Sequence, residues 1–122
     1  MIDKQCFYEF LDFDKEIILE IIDLAATEIP ECIEAIAKNM EDTDFDRLSR
    51  NACKIKGILG IFFDPVSTGL ARQLWDYVGW RKPEMDNRTM DDKIPQMFSE
   101  LKTSTELLLD ELILIKQELI SG

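Results

Sequence analysis

Histidine is absent from all 122 residues. With it go every histidine general base, every Ser-His or Cys-His nucleophile pair, and the commonest zinc ligand. Cysteine is scarce as well: Cys6, Cys32 and Cys53 are odd in number and share no metal-ligand spacing. Neither a disulfide framework nor a metal site is suggested, nothing calls for a cofactor, and a reducing compartment fits best. With only five Gly and four Pro, the chain is neither disordered nor fibrous in composition. No apolar run approaches the roughly eighteen residues needed to span a bilayer. The start, Met1-Ile2-Asp3-Lys4-Gln5, lacks the basic and apolar regions of a signal peptide, so a soluble, cytoplasmic protein is expected. Cations are outnumbered, 14 Lys and Arg against 25 Asp and Glu, for a formal charge of −11. Such a balance argues against nucleic acid or an anionic membrane as the main partner.

What is present is a globular composition, 46% hydrophobic and 32% charged, over a length that suits one domain, residues 1–122. The apolar residues recur at helical spacing. From about Asp14 to Asn39, Ile18, Ile22, Ala25, Ile29, Ile33, Ile36 and Met40 form one face, with Asp14 as N-cap. Pro30 lacks an N–H and should kink that helix near Ala26 or split it; one kinked helix is the expectation. A short helix from Lys4 to Leu11, carrying Cys6, Phe7, Phe10 and Leu11, precedes it and is expected to lie across one end. Thr43 or Asp44 can cap a second long helix running to about Phe63 on Leu48, Ala52, Ile55, Leu59, Phe62 and Phe63. Asp64-Pro65 opens a third on Leu70, Ala71, Leu74 and Val78, ended by Gly79. Trp80 to Thr89 reads as a loop, and Trp75, Tyr77 and Trp80 near the end of the third helix form either an aromatic patch for a partner or the packing of the bundle end. A last helix runs from about Asp92 to Leu119 through Ile94, Met97, Phe98, Leu101, Leu108, Leu112, Ile115 and Leu119. Leu107, Leu109, Ile113 and Leu114 lie outside its main stripe and need a cover, either the short first helix or a second chain. Period-two alternation is missing and connections are mostly short, so the expected fold is all-α: an up-and-down four-helix bundle with a short additional N-terminal helix.

The second long helix has an unusual outer side. Taking about 100° per residue from Leu48, Cys53 falls near 140°, Gly57 near 180° and Gly60 near 120°, with Arg50 and Lys56 flanking them at about 200° and 80°. A glycine in a helix interior costs about 1 kcal/mol relative to alanine, so two on one strip need a reason. Close approach by a partner's backbone supplies one. The internal alternatives are that Gly60 loosens the helix before its stop and that Gly57 admits a neighbouring helix. Arg47, Arg50, Lys54 and Lys56 are the only charges between Arg47 and Phe63, and this acid-free stretch in an acidic chain suits an acidic partner. The competing account is a solvated face balancing Glu41, Asp42, Asp44 and Asp46.

Cys53-Lys54-Ile55-Lys56-Gly57 resembles the H-x-x-K-G motif of histidine-containing phosphotransfer (HPt) domains, the four-helix bundles that relay phosphoryl groups in two-component signalling. Asp44-Phe45-Asp46-Arg47-Leu48 before it and Leu70-Ala71-Arg72-Gln73-Leu74 after it are similar to the family's acidic turn and leucine-bearing next helix, so the resemblance spans roughly Phe7 to Leu119. It implies a docking surface for a response-regulator receiver domain at Arg50, Cys53, Lys54, Lys56, Gly57 and Gly60. It also implies that Lys56 favours the phosphoryl group and Gly57 leaves room for the receiver.

Three positions depart from the family pattern. Cys53 stands at the phosphoaccepting histidine, Phe63 at the family's usual glycine, and Trp75 where an acidic residue commonly follows the leucine. The docking surface is thus retained while the acceptor atom is missing, and a non-catalytic pseudo-phosphotransfer protein is expected. Arg50, Lys54 and Lys56 could lower the Cys53 thiol pKa, which leaves open a redox sensor or thiol enzyme. No base accompanies the thiol, however, and the residues after it form no phosphate-cradling loop ending in arginine. A structural helical adaptor unrelated to phosphorelay is the third reading. Cys6 and Cys32, on or beside apolar stripes, are expected to be core residues.

Overall fold

Aspartates set where the helices start. The computed structural model describes residues 1–81 and 92–122, without the side chains of Trp80 and Arg81, and the described residues form five helices with no strand among them: α1 (Lys4–Phe10), α2 (Lys15–Glu41), α3 (Phe45–Gly60), α4 (Pro65–Arg81) and α5 (Lys93–Ser121). Asp3, Asp14 and Asp44 each accept a backbone N–H from the first turn of α1, α2 and α3, satisfying donors that a helix start leaves unpaired. Asp64 does more at α4. Its carboxylate accepts the N–H groups of Val66 and Ser67 at 3.1 and 3.2 Å and the Ser67 hydroxyl at 2.8 Å, while Pro65 occupies the first helical position, where no donor is needed.

The apolar stripes meet in one core. Ile18, Ile22, Ala25, Ile29, Ile33 and Ile36 of α2 pack with Leu48, Ala52, Ile55 and Leu59 of α3, Ala71, Leu74 and Val78 of α4, and Ile94, Leu101, Leu108, Leu112 and Ile115 of α5. Met40, Leu70, Met97, Phe98 and Leu119 are half-buried at its margin. α3 packs on α2 and α4, and α5 packs on α4 and α2. Phe7 of α1 is fully buried, its ring 5.2 Å from that of Phe62. Asp3 N–H donates to the Phe63 carbonyl and Lys4 pairs with Glu118, so α1 is fastened to the α3–α4 turn and to the C-terminal part of α5.

α2 is one helix through Pro30, as expected; the missing proline N–H leaves the Ala26 carbonyl without its usual donor, and Ala26 is exposed. Other expectations change. α3 stops at Gly60 rather than Phe63, because Ile61 to Phe63 form a turn in which Phe63 takes φ 54°. Phe62 stays in the core, but Phe63 is 37% exposed and stacks edge-on against Phe10. Gly79 does not end α4, which continues to Arg81; one glycine costs a helix too little to stop it. Trp80 and Arg81 are therefore helical, and the remainder of the expected loop, with the Trp80 ring, lies outside the described residues. Leu107, Ile113 and Leu114 are exposed, so α1 does not cover them.

Buried polar groups pin the helices to one another. Asn51 of α3 donates to the Asn39 side chain of α2 at 2.7 Å, and Asn39 is buried. Ser67 of α4 and Ser104 of α5 share a 2.5 Å hydrogen bond. Beneath it Asp64, only 2% exposed, also faces the Met1 amino group at 3.2 Å. Burial alone would raise the Asp64 pKa, but hydrogen bonds from Ser67 and the Met1 ammonium together outweigh it and hold the carboxyl below its ordinary value.

Candidate functional site

α3 is held in its rotation from both sides. On one side Asn51 is fixed to α2; on the other the Lys56 ammonium lies 4.0 Å from the centroid of the Trp75 ring on α4. Inward, Leu48, Ala52, Ile55 and Leu59 have no exposed surface. With three sides committed, the fourth carries Arg50, Cys53, Lys54, Gly57 and Gly60, all exposed. Every candidate residue except Lys56 therefore sits on the open face where helical rotation puts it, and Lys56, half-buried, marks its border with α4.

The glycines on this face have no internal explanation in packing. A Cβ added at Gly57 or at Gly60 would meet nothing within 4 Å, so neither residue admits a neighbouring helix. Gly60 is the last helical residue, yet no glycine of the described residues has positive φ; the left-handed residue of this turn is Phe63. Gly69 and Gly79 of α4 are equally open, but only Gly57 and Gly60 flank an exposed thiol and cations. Beyond Gly60 the face runs into a hollow of about 630 Å³ lined by Ile2, Gly60, Phe63, Pro65 and Thr68 among others.

The cations differ in what they have left to offer. Arg47 is tied to Asp44 at 3.4 Å, and Arg72 of α4 lies 3.9 Å from Asp76. Lys56 is on the indole. Arg50 and Lys54, by contrast, enter no ion pair among the described residues. Two cations without an ion pair among the described residues thus border a side-chain-poor strip, and their chemistry is that which pairs with carboxylate or phosphate oxygens.

The three thiols sit in three environments. Cys53 is exposed, Cys32 is buried and Cys6 is half-buried. Burial raises the Cys32 pKa, slightly offset by Lys54, and the Cys6 thiol, which donates to the Asp3 carboxylate at 3.3 Å, is raised chiefly by that bond. Cys32 is a core residue as expected, whereas Cys6 lies outside the core, half-buried on α1 and bonded to Asp3.

Periodicity did not reveal the part of Trp75. Trp75 faces Lys56 of α3, whereas Tyr77 lies 5.9 Å from the Lys93 ammonium of α5; the Trp80 ring of the expected aromatic patch lies outside the described residues. The nearest signal was the position of Lys56 toward one side of its helix. Also unforeseen is a cavity of about 340 Å³ in the seam between α2 and α5, lined by Pro30, Ile33, Phe98, Lys102 and Leu109 among others. No helix of the described residues is long and apolar enough to cross a membrane. No family model matches the chain, and neither a curated protein nor a solved structure matches it.

Proposed function

We propose that the chain is an HPt-like module of a cytoplasmic phosphorelay: an up-and-down four-helix bundle of α2 to α5 with α1 across one end, which docks a receiver domain through α3 and carries no phosphoacceptor. The observation that supports this most is the open strip of Cys53, Gly57 and Gly60 beside Arg50 and Lys54, which enter no ion pair among the described residues, on an acid-free stretch of a chain with net charge −11. A receiver's acidic pocket is the complement of such a face in shape and sign. Connections of three residues, Asp42–Asp44, and four, Ile61–Asp64, favour antiparallel neighbours, and the packing of α2 on α5 favours closure of the bundle.

The backbone at Phe63 is compatible with the resemblance. The family resemblance expects glycine there, and the backbone at Phe63 has φ 54°, a conformation that glycine adopts without strain and other residues rarely take. Phe63 thus takes a conformation that would suit the glycine the resemblance expects, although Asp12, Phe13 and Thr43 take it elsewhere in the chain.

The module binds without catalysing. No imidazole exists in the sequence, and Cys53 would have to act without a partner base. The test is calorimetric titration of the full chain with receiver domains from the same genome, followed by incubation with a phosphorylated one. Binding without a stable phosphoryl group on this protein is expected. Phosphate recovered on Cys53 at neutral pH would overturn the non-catalytic part, and failure of every receiver to bind would overturn the docking part.

A further inference from the structure

Resting on the docking reading, we infer that the cations of α3 divide their work and that Trp75 of α4 is a contact residue for the acidic partner. The family resemblance gives the leading electrostatic part to Lys56. The structure points elsewhere, because the Lys56 ammonium lies over the Trp75 ring at 4.0 Å and the side chain is half-buried. A cation on an aromatic face is drawn to the ring's negative quadrupole, so Lys56 orients the indole more than it reaches outward. The freely offered charges are Arg50 and Lys54, both exposed and without an ion pair among the described residues.

Trp75 itself has one group unused. Its indole N–H donates to no acceptor among the described residues, although tryptophan N–H groups at interfaces usually find one. The ring is half-buried, with its body against α3 and its position fixed by Lys56. An acceptor on the partner, a carboxylate or a backbone carbonyl, completes it. Arg50 and Lys54 therefore supply long-range attraction to an acidic surface, and the Lys56–Trp75 pair supplies a short-range, fixed contact on the α4 border of the strip.

Two readouts separate these parts. In the free protein, the Lys56 side-chain methylene protons should resonate upfield through the indole ring current and return to ordinary positions in Trp75→Leu; ordinary positions in the parent would remove the platform. Receiver binding is then measured by calorimetry between roughly 50 and 300 mM salt, where screening changes most. Arg50→Gln and Lys54→Gln should each weaken binding at low salt and flatten its salt dependence, while Lys56→Gln should weaken it with a slope closer to the parent's. Trp75→Phe, which keeps a ring for Lys56 but removes the donor, should weaken binding roughly three- to tenfold, the range for one interfacial hydrogen bond. If Lys56→Gln flattens the slope as much as Arg50→Gln, or Trp75→Phe binds as the parent does, the division of labour is wrong. Gly57→Gln distinguishes this failure from that of the docking reading: lost binding in Gly57→Gln with unchanged Trp75→Phe overturns only the present inference, whereas parent-like binding by Gly57→Gln overturns both.

Discussion

Replacing Gly57 with alanine should stabilise the protein, and the size of the gain follows from the structure. Gly57 lies inside α3, three residues before its end. The added methyl meets nothing within 4 Å, so it neither fills a void nor strains a neighbour. What remains is the backbone term: alanine is favoured over glycine in a helix by about 0.8–1 kcal/mol, reduced somewhat near the helix end. A gain of about 0.5–1 kcal/mol corresponds to roughly 2–5 °C in midpoint for a domain of this size. Gly69→Ala in α4 is the control, since its methyl also meets nothing and it lies on a different helix. Thermal and urea unfolding followed by circular dichroism measures both. An unchanged or lowered midpoint for Gly57→Ala would mean that the space above residue 57 is occupied or that the helix there is distorted, and the claim of an open strip would fall.

Asp64 makes stability depend on pH. Its carboxyl titrates below the ordinary range when folded, so its stabilisation is complete above the unfolded pKa of about 3.9 and lost as pH falls through the lower folded value. Asp64→Ala should cost about 2–3 kcal/mol at pH 7, combining a lost N-cap with lost buried hydrogen bonds, and urea titrations should show the gap narrowing below about pH 4; a gap that widens there contradicts the assignment. At the left-handed Phe63, the glycine variant should be more stable than the alanine variant by about 1 kcal/mol, since both lose the ring but only glycine relieves the strain. The reverse order would refute the backbone conformation. Maleimide should label Cys53 first, Cys6 more slowly and Cys32 last, following their exposure and the raised pKa values of the latter two; mass spectrometry of the native protein reads the order, and faster labelling of Cys32 would contradict the rotation of α2.

Much of this architecture is written locally. Asp14, Asp44 and Asp64 announce helix starts because a short carboxylate can reach the first-turn donors without help from the rest of the fold. The outer face of α3 was legible for a similar reason: rotation of about 100° per residue separates Cys53, Gly57 and Gly60 from Leu48, Ala52, Ile55 and Leu59, and the former are exposed and the latter buried. The end of α3 was not, because propensity and conformation are exchanged there. Gly60 stays in the right-handed helix while Phe63 takes the left-handed turn, with Phe62 anchored on Phe7 between them. Gly79 misled in the same way, being carried through by the helix around it. Contacts between helices were beyond reach: nothing in the periodicity says that Asn51 meets Asn39, that Ser67 meets Ser104, or that Trp75 and Tyr77 face different neighbours.

The proposed docking face is tested most directly by amide spectra of the isotope-labelled protein titrated with a receiver domain that binds it. The account predicts that the resonances that shift or broaden belong to Arg50, Cys53, Lys54, Gly57 and Gly60 of α3 and to Trp75 of α4, while those lining the α2–α5 seam, such as Ile33 and Leu109, stay in place. Perturbations centred on that seam, with α3 unmoved, would contradict it.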